Sequence, residues 1–181
     1  EFRRVLFRSV VASASPINTV ADLLAAGKAS AVPLNFGSAG NGSASHLSLV
    51  LLANMTGLKI NHIPYKGTAQ IVPDLIGDRL VAYFDVPGTA MGLLKAGKLK
   101  AVGVASQAPQ PALPGVPTIA ETVPGFEIGT WLGLFAPTGV ARERVDRLNA
   151  ALRTVLDDPA FRKQLIDQGN EVRPGTAQEF D

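Results

Sequence analysis

Short apolar runs alternate with amphipathic segments along most of the chain. Residues 34–37, 60–63, 80–86 and 99–105 are apolar and brief enough for strands, with the last of these reading as a central parallel strand. Between them, 19–27, 43–56, 68–76 and 89–96 carry apolar residues at helical spacing. Thr19 with Asp22 three residues on is a capping-box start, and Gly27 is the expected stop. In the second helix His46, Leu47, Val50, Leu51 and Asn54 lie on overlapping faces, with Gly57 ending it; Pro73 kinks the third or starts its last turn. This β-α alternation predicts the α/β class, with a parallel sheet covered by helices on both faces.

The pattern changes after Ser106. Pro109, Pro111, Pro114 and Pro117 make a semi-rigid surface connection, residues 118–122 a short helical turn, and Pro124-Gly125 a break. Residues 126–137 are extended and apolar around Trp131, whose simplest place is a core or an interdomain contact. A charged helix over 142–156 carries Val145, Leu148, Leu152 and Val155 as one stripe. A second over 160–168 opens at Asp158-Pro159 and stops at Gly169, and Val172 suits a last short strand. Thr176 and Glu179 form another capping box close to the last residue, which reads as a truncated end. Residues 1–9 (EFRRVLFRS) fit none of this. With three arginines, no long apolar core and no small-residue cleavage site they are not a secretion signal, and they read as a foreign or frayed leader.

Composition narrows the function. Seventeen Lys+Arg against fifteen Asp+Glu leave no basic footprint for nucleic acid, and no apolar run approaches the roughly 18 residues of a membrane span. Without cysteine there is no disulfide, thiolate metal site or cysteine nucleophile, and two histidines make a poor metal site.

The polar residues gather in the loops after the strands, where parallel sheets hold ligands. The first loop, Ser38, Ala39, Gly40, Asn41, Gly42 and Ser43, leads from strand to helix. Its backbone N–H groups and the helix dipole can surround a small anion, or it is an ordinary glycine-rich turn with a cap. It lacks the Gly-Lys-[Ser/Thr] of a P-loop. The second loop holds Tyr65, Lys66 and Gly67. There Tyr65 either closes over a ligand or packs under the loop, and Lys66 either neutralises an anion or is merely solvated. The third begins at Asp85, a ligand-facing carboxylate or a cap for the next helix. No Gly-x-Ser-x-Gly elbow makes Ser38 or Ser43 a nucleophile, and His46 and His62 suit structural hydrogen bonds. Donors without bond-breaking groups favour binding over catalysis. No catalytic residue, metal or cofactor is assigned. Two other readings stay open: a small α/β enzyme acting on an anionic ester, with His46 or Asp85 as base, and a ligand-sensing lobe for a regulatory partner.

Several motifs in order carry a resemblance: Asn35-Phe36-Gly37-Ser38-Ala39-Gly40-Asn41-Gly42-Ser43 with His46-Leu47, Ile63-Pro64-Tyr65-Lys66-Gly67, Phe84-Asp85, Leu113-Pro114-Gly115-Val116-Pro117-Thr118, and Trp131-Leu132-Gly133-Leu134-Phe135-Ala136-Pro137. Together they resemble the substrate-binding proteins of tripartite tricarboxylate transporters, the Bug family. The resemblance implies a periplasmic binding protein-like (type II) fold whose two lobes close on a small carboxylate, a periplasmic location, and membrane components of a transporter as partners. It implies no nucleic acid and no membrane insertion. It divides the chain into 1–9, an unmatched leader; 10–28, the end of the first lobe and crossover; 29–128, the second, ligand-binding lobe; and 129–181, crossover and helices returning to a truncated first lobe. Ligand contacts would come from Ser38, Ala39, Gly40, Asn41, Gly42, Ser43, Tyr65, Lys66, Gly67 and Asp85. With most of one lobe missing, ligand binding by this chain alone is expected to be weak or absent.

Overall fold

The computed structural model describes residues 3–86 and 89–180. Pro87 and Gly88, expected in the loop after Asp85, lie outside the described residues. The larger sheet has five strands in the order β4-β3-β5-β2-β6. These are β2 (Arg8–Ala12), β3 (Leu34–Ser38), β4 (Ile60–Pro64), β5 (Ala82–Asp85) and β6 (Leu99–Val104). β3 pairs parallel with both β4 and β5, as the β-α alternation predicts. The sheet is nevertheless mixed. β2 runs antiparallel between β5 and β6, so β6 is an edge strand and not a central parallel one. The difference comes from the opening residues set aside as a leader. Phe7, Arg8, Ser9 and Val10 are buried, and the strand there lies between β5 and β6 and leaves β6 at the edge.

Helices α1 (Val20–Ala29), α2 (Ala44–Thr56), α3 (Thr68–Ile76) and α4 (Met91–Lys95) connect these strands. Thr19 and Asp22 form the expected reciprocal cap on α1. Gly27 does not end that helix, which continues to Ala29. A Cβ at Gly27 would stand 2.0 Å from Leu58 Cδ1, so the glycine is there for close packing and not as a stop. Gly57 does end α2, in the left-handed conformation at φ 71°. α2 buries Ser45, Ser48, Leu49 and Leu52, the side of the helix opposite His46, Leu47, Val50, Leu51 and Asn54, and Leu47 is exposed. Pro73 lies inside α3. The main core joins Phe7, Val11, Leu23, Phe36, Leu49, Leu52, Phe84 and Phe126 on one face of the sheet; Val10, Ile71, Leu75, Leu80 and Tyr83 pack together as a second cluster. After β6 a 3-10 turn over Ile119–Glu121, with Thr118 and Glu121 capping one another, returns the chain to the sheet.

The second sheet is small, with order β7-β1-β8: β1 (Arg3–Leu6), β7 (Gly129–Leu132) and β8 (Asn170–Val172), all antiparallel. The opening segment therefore supplies strands to both sheets and does not fray. α5 (Arg142–Asp157) and α6 (Pro159–Asp167) pack beside this sheet, Asp158 capping α6 through the N–H of Phe161. Its core is Leu156, Leu165 and Val172, with Leu152 against them. Trp131 is not a core residue: it is half exposed, with its ring 5.9 Å from that of Phe135. Thr176 and Glu179 cap one another, and the turn they introduce, α7 (Ala177–Phe180), forms.

Candidate functional site

The loops after β3 and β4 meet because the two strands are parallel and in register, with Ser38 opposite Pro64 and Phe36 opposite His62. Tyr65 N–H donates to Ser38 O at 2.9 Å and ties the second loop to the first. Gly37 leaves no room for a side chain, since a Cβ would lie 2.9 Å from Leu80 Cδ1 and 3.0 Å from Ile71 Cγ2. Gly40 and Gly42 adopt φ of 120° and 72°, which side chains at these positions would resist.

The turn binds largely to itself. Ser43 Oγ caps α2 by accepting from His46 N–H at 3.3 Å and donates to Gly40 O at 2.7 Å. Gly40 N–H donates to Ser38 Oγ, Ala39 N–H to Ser45 Oγ, Gly42 N–H to His46 Nδ1, and Ser43 N–H to Gly40 O. Four amides that the sequence suggested for an anion are thus engaged within the turn. Ala44 and Ser45, in the first turn of α2, keep amides with no intrahelical acceptor, and Asn41 is exposed at the tip. These groups, with the positive end of the α2 dipole, make the anion-attracting part of the rim.

Both histidines stand under this turn. His46 and His62 stack with ring centroids 4.0 Å apart and 16° between planes. His62 Nε2 is 2.5 Å from Ser38 Oγ. Burial, and then the neighbouring His46, hold the His62 pKa below its usual 6.5. Sequence reasoning treated the two as separate structural residues. Only the parallel register of β3 and β4 puts them in contact; the one local signal was the four-residue spacing from Gly42 to His46. The Ser38–His62 pair does not make a nucleophile, because Ser38 is fully buried and its oxygen is not presented to a substrate.

Tyr65 and Lys66 divide differently. Tyr65 Oη donates to Asp74 Oδ2 at 2.6 Å on α3, and Asp74 also faces Arg79. Burial and that bond push the phenol up to about 12, so Tyr65 packs under its loop with its hydroxyl committed. Lys66 is exposed on the rim, its N–H donating to Gln70 Oε1, and Gly67 opens α3 without a side-chain cap.

Asp85 departs from expectation. It is fully buried; Arg8 Nε donates to its Oδ2 at 3.0 Å, Tyr83 Oη to its Oδ1 at 3.0 Å, and Ala90 N–H to Oδ2 at 3.3 Å. Burial raises its pKa, which the arginine opposes. With both oxygens turned into these partners, Asp85 is a buried ion-pair residue that also holds the N–H of Ala90, just before α4. Among the described residues Arg8 Nη1 and Nη2 find no partner, a costly arrangement for a buried guanidinium. The site thus keeps the turn, Lys66 and Gly67, with Tyr65 beneath. Among the described residues no group of three His, Cys, Asp or Glu side chains is arranged for a metal, and no helix is long and apolar enough to cross a membrane.

The sequence model of the tripartite tricarboxylate transporter family receptors matches residues 2–181. The chain belongs to this family. A curated relative from Pseudomonas knackmussii, a UPF0065 protein of the clcB-clcD intergenic region, is 39% identical over 142 residues, covering 77% of this chain and 84% of its own. Among solved structures, an R. palustris protein with adipate superposes with a TM-score of 0.91 at 33% identity, over 99% of this chain and 60% of that one. The periplasmic binding protein BugD matches at 0.84 and 34%, over 94% and 57%. MatC of Rhodopseudomonas palustris with bound malate matches at 0.83 and 30%, over 94% and 58%. These likenesses establish a periplasmic binding protein fold of the Bug type. The chain spans about half the length of curated receptor relatives from Pseudomonas sp. and Agrobacterium vitis, 50% and 44%.

Proposed function

We propose that the chain is the ligand-facing part of an extracytoplasmic solute-binding protein that captures a small carboxylate and delivers it to a tripartite tricarboxylate-type membrane transporter. The observation that carries this reading is the match, over nearly the whole chain, to an adipate-bound protein at 33% identity; the malate-bound MatC adds a second dicarboxylate. The geometry supports the same chemistry. The α2 N-terminus, the exposed Asn41 and the exposed Lys66 sit on one rim, where donors and positive potential favour an anionic oxygen pair. Asp85 leaves the proposed contact set because its carboxylate is buried against Arg8. Residues 29–128 then act as the ligand-binding lobe, 10–28 as the end of the other lobe and crossover, and 129–181 as the return toward that other lobe. Binding fits better than catalysis, since the Ser38–His62 side-chain contact buries its serine oxygen.

Thermal unfolding of the chain with adipate or malate, at concentrations high enough to fill the weak site expected of one lobe, against their dimethyl esters, tests this. Specific carboxylate capture raises the midpoint with the logarithm of free acid, and the esters have no effect. Hydrolysis of the esters, or equal stabilisation by acid and ester, overturns the reading.

A further inference from the structure

The glycine turn closes on itself through groups that change with protonation. Gly42 N–H donates to His46 Nδ1 at 3.1 Å, so this nitrogen carries no proton while the turn is closed. His46 stacks on His62 with ring centroids 4.0 Å apart, and His62 Nε2 meets Ser38 Oγ at 2.5 Å. Two imidazolium charges at that separation repel, so the pair takes up one proton and not two. Burial, and then the neighbouring His46, keep His62 neutral. His46, half-buried under the turn and bonded to the exposed Gly42, is the ring left to take the proton.

No anion of the chain is placed to hold a proton there. Between Asp22 and Asp74 the sequence contains neither Asp nor Glu. The turn, β3 and α2 therefore bring the pair no carboxylate, and the charged residues flanking β4 are Lys59 and Lys66. β5, which packs against α2, ends in Asp85, whose oxygens are taken by Arg8, Tyr83 and the Ala90 N–H. Asp74 on α3 is held by Tyr65 and Arg79. An imidazolium at His46 would add to the positive end of α2 with no carboxylate of the chain to offset it. The anion that stabilises it has to come from solution.

Protonation also changes the turn. His46 Nδ1–H and Gly42 N–H become two donors aimed at one another, an arrangement that needs an acceptor oxygen between them. The bond that closes the turn is thereby converted into a pair of donors at its exposed tip. We infer that a proton is the co-ligand of the carboxylate: capture of the anion at the turn loads one proton from solvent onto His46 and frees the Gly42 amide for the anion. This rests on the carboxylate-binding reading of the rim and adds to it an affinity that rises as pH falls.

NMR titration of the chain with malate at pH of about 6, 7 and 8 tests it. The ring nitrogen shifts of His46 report its protonation, the Gly42 amide reports the turn, and the carboxyl groups of malate stay ionised over this range. Added malate is expected to move His46 to the imidazolium form and to shift the Gly42 amide. Affinity should rise about five- to a hundredfold from pH 8 to 6, the upper limit being tenfold per pH unit for one proton. His46→Asn, whose Oδ1 can accept from Gly42 but gains no proton, should bind with an affinity that no longer varies with pH. Malate binding with His46 neutral throughout, equal affinity at pH 6 and 8, or a pH dependence that survives in His46→Asn overturns the inference and leaves carboxylate capture standing. Rim amides that malate does not move at any pH overturn carboxylate capture itself, and the inference with it.

Discussion

The five-stranded lobe and the three-stranded unit are made of the same kinds of element, yet their surfaces differ sharply. In the lobe, helices cover the sheet so fully that Phe36, Leu49, Leu52, Ile71, Tyr83 and Phe84 are essentially inaccessible. In the unit, three side chains form the core, and Trp131, Leu132, Leu134, Phe135, Leu148 and Val155 are each about half exposed or more. α5 shows the difference most clearly. Its stripe was legible from the helical period, but Val145 and Leu152 are only partly covered and Leu148 and Val155 face outward, while the buried residue of the helix, Leu156, lies beside the stripe. Apolar periodicity says which face of a helix is to be buried. It does not say whether anything is present to bury it.

Four variants would break or sharpen that contrast. The largest effect is expected from Asp85→Asn in the lobe, which leaves Arg8 as a buried charge without its counterion. Urea unfolding should show a loss of about 3–5 kcal/mol, and a loss under 1 kcal/mol would show that the pair is not buried in solution. Next comes Gly103→Ala, whose Cβ would stand 2.7 Å from Val20 Cγ2 and 2.8 Å from Ile119 Cγ1. Overpacking of this kind costs about 1–3 kcal/mol, read from the same denaturation curves. Ser43→Ala removes the cap on α2 and is expected to cost about 1 kcal/mol; it should also loosen the turn and weaken carboxylate binding, measured by titration with adipate.

The smallest change in stability belongs to the three-stranded unit. Leu148→Glu combined with Val155→Glu should alter unfolding by no more than about 0.5 kcal/mol, while sedimentation velocity shows less association at high concentration. A large loss of stability would mean that these side chains are buried after all.

The histidine stack adds a pH dependence to the lobe. A His62 pKa below 6.5 in the folded chain means that the unfolded chain binds more protons just below that value. Stability from the neutral imidazole is therefore complete above about 6.5 and is lost as pH falls through the folded value. Thermal midpoints measured downward from pH 7.5 should drop through this window, and His62→Gln should flatten that part of the curve. An unchanged slope in the variant would place the titration elsewhere.

The site was legible to different depths. Ser43 as cap and the left-handed Gly57 follow from local chemistry, because a cap and a stop depend only on residues within a turn of one another. The meeting of the loops after β3 and β4 also followed, from the rule that parallel strands gather their carboxyl ends. The engagement of Gly42 N–H by His46, the Ser38–His62 contact and the burial of Asp85 were not legible. The last two depend on which strand lies beside which: Asp85 meets a guanidinium only because β2 runs antiparallel with Arg8 opposite it, whereas the Gly42–His46 bond is local and turns on the orientation of the ring.

The sequence by itself determined the α/β class, the helices with their caps, the glycine turn and the family, since these rest on periodicities and motifs within short stretches. Tertiary structure alone decided the mixed order of the sheet, the commitment of Asp85 to Arg8 and of Tyr65 to Asp74, and the stacking of His46 on His62. The physical reason is distance along the chain. Residues 77 positions apart form the Arg8–Asp85 bond, and no local preference encodes which distant partner a buried polar group will meet.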